Sequence, residues 1–182
     1  MKAIGFIGDS GAGKTTLIER LIGHFSRGGL RLAAIKHAHH GFDIDRPGKD
    51  SYRFRAAGAA QVLIASGQRW ALLSDEAAPE SPPASALARL LARLDPCDLV
   101  LVEGYRGQAG IPFIEVRRQP EPAMPASADG GTSAAAAAGV IAIATNAAPA
   151  GPCVQSLLPM LDLNDIDAIA RFIATTLGEP WC

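Results

Sequence analysis

The sequence predicts a three-layer α/β domain, a mainly parallel sheet flanked by helices. Three observations predict it. Short, continuously apolar runs at 3–7 and 99–102 have the pattern of strands buried on both faces. These runs alternate with segments of helical period, where apolar residues recur at i, i+3, i+4 and i+7. The chain has 182 residues, 48% of them hydrophobic, which is enough for the core of one ordinary domain.

The elements follow in order. A strand at 3–7 leads to a helix from Lys14 to Arg27, with Leu17, Ile18, Leu21, Ile22 and Phe25 on one face. Gly28-Gly29 stops that helix, and a second strand at 31–35 completes a right-handed βαβ unit. Runs at 61–65 and 70–73, joined through Gly67-Gln68, predict a tight hairpin with glycine first. Leu87, Leu90, Leu91 and Leu94 mark a helix ending near Pro96. Strands are expected at 98–102, at 111–117 with Pro112 confined to the start, at 140–144 and more weakly at 160–163. The last helix carries Ile166, Ile169, Ala170, Ile173 and Leu177 on one face, with Asn164 as its expected N-cap and Gly178 beyond its end. Between Gln119 and Ala138 the pattern collapses into Pro, Ala, Ser and Gly. This predicts a flexible insertion in an otherwise single domain over 1–182, with a helix seeded by the alanines at 134–138 as the alternative.

Composition narrows the function. Seventeen basic against eighteen acidic residues give a net charge of −1, which argues against a general electrostatic grip on nucleic acid or anionic lipid. No apolar run approaches the ~18–20 residues of a membrane span. The N-terminus turns to Gly and Asp too early for a leader peptide, and three widely spaced cysteines suit free thiols in a reducing compartment. A cytoplasmic protein is expected.

Gly8-Asp9-Ser10-Gly11-Ala12-Gly13-Lys14-Thr15 matches G-x-x-x-x-G-K-[ST] between an expected buried strand and a helix. Glycines permit the positive φ angles that turn successive N–H groups inward, making a nest for phosphate oxygens. The helix start adds its free N–H groups and positive dipole end. The binding set is Gly11, Ala12, Gly13, Lys14, Thr15 and Thr16. Lys14 reaches the β- and γ-phosphates, the Thr15 hydroxyl ligates Mg²⁺, and Thr16 sits beside the α-phosphate. The domain is thus expected to be a P-loop NTPase fold. Such a site needs a second acid from a neighbouring strand end, and Glu103 supplies it at the carboxyl edge of the sheet. Glu is longer than the usual Asp, which favours a water-mediated over a direct metal contact; a solvated strand-end charge is the alternative. Asp98 opens the same strand at the opposite edge and is expected to be structural.

Residues 36–51 hold three histidines, three carboxylates and three cations. Lys36, His37, His39, His40, Lys49 and Arg53 are candidates for a second anion or substrate. His37-x-His39-His40 is also compatible with imidazole ligation of a metal, though no metal motif is complete. A polar, solvated loop is the bland alternative. Arg46 and Lys49 lie in a Pro-Gly turn where a cation outside the loop would stabilise charge developing in phosphoryl transfer, with His37 and Asp45 positioning substrate or water. Lys14, Glu103, Asp45 and Arg46 are therefore the catalytic candidates.

These motifs resemble the MobB family of molybdopterin guanine dinucleotide biosynthesis. The likeness rests on the glycine-rich loop, on 35–40 with Asp45 and the Pro47-Gly48-Lys49-Asp50-Ser51 run, and on 56–59, 69–72, 98–104 and 158–165. It implies a GTP-binding, weakly GTP-hydrolysing protein with Mg²⁺, acting as a homodimeric adapter beside the guanylyltransferase MobA, with molybdopterin as the molecule served. The N-K-x-D pattern that reads guanine in many GTPases is absent. Asn146, after the strand at 140–144, is the candidate to read the base, against a plain turn. Outside the resemblance, a small-molecule kinase using Arg46, Lys49, Arg53 and Arg55, or a metal-delivery GTPase using the histidines, fits the same residues.

Overall fold

The computed structural model describes residues 1–38, 44–75, 83–107, 110–118, 139–146 and 158–181, and only the backbone of 83–85. Its six-stranded sheet is parallel throughout and is built from β1 (Lys2–Ile7), β2 (Leu32–Lys36), β5 (Leu99–Glu103), β6 (Phe113–Arg117), β7 (Val140–Thr145) and β8 (Met160–Asp162), in the order β2-β5-β1-β6-β7-β8. The order reverses beside β1. That is the topological switch point, where ligands bind outside the carboxyl ends of strands.

Helices cover both faces, as the continuous apolar runs require. On one face Ile4, Phe6, Leu99, Leu101, Ile114, Val116, Ala142 and Ala144 meet α1 (Lys14–Arg27) and α4 (Ile166–Leu177) through Leu17, Leu21, Phe25, Ile169 and Ile173. On the other, Ile35, Val100 and Val102 pack with Leu87, Leu90, Leu91 and Leu94, from α3 (Pro83–Leu91) and the turns that follow it. Each fully buried Leu, Ile, Val or Phe among them contributes about 1.5–3 kcal/mol. Gly5 leaves room for the Phe113 ring, which a Cβ there would meet at 2.2 Å.

By its packing the chain forms two compact units, Met1–His37 with Pro83–Cys182, and Ala38–Pro82. The six-stranded sheet belongs to the first. The second holds α2 (Asp50–Ala56) and the antiparallel hairpin of β3 (Gln61–Ala65) and β4 (Trp70–Ser74).

Two local expectations change. Asp165, not Asn164, caps α4: its carboxylate accepts from Ala168 N at 2.8 Å, while the Asn164 amide donates to Asp162 at 3.1 Å. Asp and Asn are near-equal caps, so residue type alone does not fix which of two neighbouring positions starts the helix. The hairpin turns at Gly67-Gln68 as expected, but Gly67 is not among the glycines with positive φ. The turn is closed instead by Ser66, whose N–H and hydroxyl both donate to the Arg69 carbonyl at 2.8 and 3.1 Å. Asp98 is structural, its carboxylate accepting from Arg31 N at 2.7 Å. The expected insertion at 119–138 lies outside the described residues.

Candidate functional site

The glycine-rich loop starts where β1 leaves the sheet. Gly8 has φ +147°, and a Cβ there would stand 2.1 Å from the Val116 carbonyl oxygen. The loop can therefore begin its turn only by lying directly on β6. Gly11 and Gly13 have φ +79° and +96°, the left-handed conformation that suits a residue without a side chain. Ala12, 6% exposed, pins the loop to the core, and its N–H donates to Asp9 O at 3.2 Å. Gly13 is the N-cap of α1, with no side-chain cap and no acid in the first turn. The leading amides of α1 are thus left for an acceptor from elsewhere. The Lys14 ammonium arches back over the loop, donating to Gly8 O at 2.8 Å and Asp9 O at 2.7 Å. Thr16 lies exposed in the same first turn.

Glu103, at the carboxyl end of β5, faces this helix start. The Thr15 hydroxyl donates to its carboxylate, lying 3.1 and 3.0 Å from Oε1 and Oε2. Lys36 stands opposite Glu103 in the strand register, and its ammonium is 3.5 Å from Oε2. Lys36, a sequence candidate for a second anion, is in this geometry the counter-ion of Glu103. The chain then turns sharply. Gly104 has φ +92°, with room for no Cβ because His37 Cβ would lie 2.8 Å away. Tyr105 follows at φ +59°, a conformation uncommon for a residue with a side chain. Its ring stacks on His37, the centroids 4.6 Å apart. A hydroxyl and a carboxylate at the mouth of an amide-lined loop are hard oxygen donors, the set Mg²⁺ prefers beside phosphates.

The remaining sequence candidates are distributed as follows. Asn146 is exposed directly after β7, on the same sheet edge. Asp45, Arg46, Lys49 and Arg53 belong to the second unit. There the Asp45 carboxylate accepts from Arg46 N at 3.0 Å and from the Ser51 hydroxyl at 2.8 Å, bracing the turn into α2. Arg53 pairs with Asp50 at 3.6 Å, and Arg55 pairs with Asp75 through two bonds of 3.2 Å. His39 and His40 lie outside the described residues, among which no group of three His, Cys, Asp or Glu is placed to hold a metal ion.

Sequence reasoning missed one cluster. Glu115 is buried in β6 and pairs with Arg106 at 3.3 Å and Arg117 at 2.7 Å. The signal was a carboxylate inside an otherwise apolar strand, since acids are almost never fully buried unless paired.

Comparison with known proteins gives concordant results. Residues 3–146 match the family model for molybdopterin guanine dinucleotide synthesis protein B. The chain is 37% identical over 180 residues to the molybdopterin-guanine dinucleotide biosynthesis adapter protein of Haemophilus influenzae, covering 96% of this chain and 88% of that one. It is 36% identical over 176 residues to the Escherichia coli protein of the same name, covering 93% and 90%. A crystal structure of molybdopterin-guanine biosynthesis protein B superposes with a TM-score of 0.68 at 25% identity, covering 96% of this chain and 99% of that one. Among the described residues no helix is long and apolar enough to cross a membrane.

Proposed function

The chain belongs to the molybdopterin guanine dinucleotide synthesis protein B family, whose model spans residues 3–146, and from that premise we propose that it is a GTP-binding adapter in molybdopterin guanine dinucleotide biosynthesis. The observation that carries the nucleotide reading is the pairing of Thr15 with Glu103, 3.0–3.1 Å apart at the start of α1 and beside the Lys14 ammonium. Loop amides and Lys14 receive the phosphates, while Thr15 and Glu103 hold Mg²⁺. When bound, the metal offsets the phosphate charge next to a carboxylate that would otherwise repel it. Lys36 balances Glu103, so the acid is kept at the loop mouth without excess negative charge.

Hydrolysis by the isolated chain is slow in this reading. Arg46 and Lys49, the cations named for transition-state charge, sit in a Pro-Gly turn of the second unit rather than on the sheet. Docking of MobA or molybdopterin orders them. Guanine is read by the Asn146 amide. The protein is cytoplasmic and works as a homodimer. Support for a second copy comes from the hairpin, where Leu63, Leu72, Trp70 and Ala65 share one exposed face. Family membership favours this reading over a small-molecule kinase or a metal-delivery GTPase.

The test is a titration of GTP against ATP with Mg²⁺, repeated with purified MobA. The expected result is tighter binding of GTP, slow turnover alone and faster turnover with MobA. Turnover dependent on an acceptor alcohol would instead support the kinase, and stoichiometric Zn²⁺ or Ni²⁺ uptake through the histidines would support metal delivery.

A further inference from the structure

We infer that Arg106 and Arg117, held by the buried Glu115, form a second anion site beside the glycine-rich loop, built for a terminal phosphate monoester distinct from the nucleotide. The inference rests on the nucleotide reading above for what occupies the neighbouring loop.

Position comes first. Glu115 pairs in register with Ile7, the last residue of β1, and the next residue of β6, Val116, lies against Gly8. Glu115 and Arg117 are two apart on one strand and so share a face. Arg117 ends β6 at the carboxyl edge of the sheet, where ligands of open α/β sheets are held. Arg106 reaches the other oxygen of the same carboxylate from the segment after β5, three residues after Glu103.

The charge balance is the second argument. A single carboxylate serves two guanidiniums, leaving one formal positive charge in the cluster. Glu115 has only 12% of its side chain exposed, whereas the arginines keep 54% and 50%. Burying a carboxylate in an apolar strand carries a desolvation penalty that an apolar residue of similar size would avoid. The arrangement is explained if Glu115 fixes two planar forks whose remaining donors face solvent. Each guanidinium has five N–H donors in fixed geometry, suited to bidentate contact with phosphate.

Backbone strain is the third. Arg106 is delivered by two consecutive positive-φ residues, Gly104 at +92° and Tyr105 at +59°, with Tyr105 stacked on His37. Strain at a non-glycine residue persists where surrounding structure over-determines it, and it gathers at ligand clamps. Here the turn links Glu103, the acid paired with Thr15, to Arg106, the partner of Glu115. One short segment would thereby supply an acid for the metal beside the nucleotide and a guanidinium for the second anion.

The test uses the full chain and inorganic phosphate as probe, followed by calorimetry or ³¹P line broadening. With a non-hydrolysable GTP analogue and Mg²⁺ filling the loop, wild-type protein is expected to bind one phosphate still. Arg106→Ala and Arg117→Ala should each weaken that binding about tenfold, while analogue affinity stays within about twofold. Arg106→Lys, which keeps charge but loses the fork, should fall between; it carries the test if thermal melting shows the alanine variant unfolded. Phosphate binding that vanishes once the analogue is bound, or that the double alanine variant retains, overturns the proposal. Should the analogue fail to bind, the nucleotide reading fails alone. Phosphate titration of Lys14→Ala then still decides the arginine site, which is expected to survive that change.

Discussion

Lys14 and Glu103 illustrate what a single residue reveals before and after folding. Lys14 was legible because its partners, the Gly8 and Asp9 carbonyls, lie within six positions, so local spacing encodes the geometry. Glu103 was legible as a strand end but not as the direct partner of Thr15, a contact across 88 positions. Glu115 carried a signal, an acid in an apolar strand, and Arg117 lies two residues away on that strand, but Arg106 belongs to another segment and only the fold brings it to the same carboxylate. At this scale, Lys14→Ala should weaken Mg²⁺–GTP binding at least about tenfold, because charge-assisted hydrogen bonds to phosphate are lost. Circular dichroism and melting temperature should hardly change, since the ammonium contacts two loop carbonyls and no core group. Unaltered affinity in the folded variant would remove Lys14 from the site. Glu103→Gln is expected to lower Mg²⁺-dependent turnover more than nucleotide affinity, since it leaves the amide nest intact. Equal losses in both would mean that Glu103, through Lys36 and Thr15, chiefly organises the sheet edge.

Elements were the most legible level, because a strand buried on both faces must be apolar throughout and a helix packed on one face must repeat its apolar residues. β1, β5 and α1 announce themselves in this way, and their observed bounds differ from expectation by a residue or less. What surrounds an element is harder. The α4 cap turned on Asp165 rather than Asn164 because two near-equivalent caps sit side by side, and the hairpin closed through the Ser66 bonds to the Arg69 carbonyl rather than through a left-handed glycine. Asp165→Ala should cost about 1 kcal/mol of stability by loss of the cap, read as a small fall in the midpoint of urea unfolding. Asn164→Ala should cost less, and the reverse order would reinstate Asn164. Gly8→Ala tests the junction of β1 with the loop. With φ +147° and the Val116 carbonyl 2.1 Å from the new Cβ, the loop must move. Nucleotide binding should fall at least as far as in Lys14→Ala, and stability should fall with it. A variant that binds normally would show that the loop does not need its close approach to β6.

For the whole molecule, the sequence reading of one continuous domain and the two packed units describe different aspects of the chain. Period and composition locate strands and helices but carry no signal for which of them pack together, so the boundary near His37 and Pro83 could not be read from them. In the homodimer reading the second unit matters most. A two-stranded hairpin is marginal alone in water, and here neither of its faces reads as a polar, solvated one. Val62 and Leu73 are the more buried residues of one face, which also carries exposed Ile64, whereas Leu63 and Trp70 on the other are 62% and 63% exposed. Polar residues would be expected on a face meant for water, since antiparallel strands with one solvated side alternate in character. An apolar exposed face therefore argues for a cover, and in the homodimer reading the cover is the same face of a second copy, related by a two-fold axis. Leu63→Glu places a carboxylate on that face in each copy, so a dimer formed through it must bury both charges against an apolar surface. The expected outcome is monomer by sedimentation equilibrium at concentrations where the parent chain is dimeric. Mg²⁺–GTP affinity should remain within about twofold, because the loop and Glu103 belong to the other unit. If the variant remains a dimer with unchanged affinity, the hairpin face serves another partner, and the first to try is MobA.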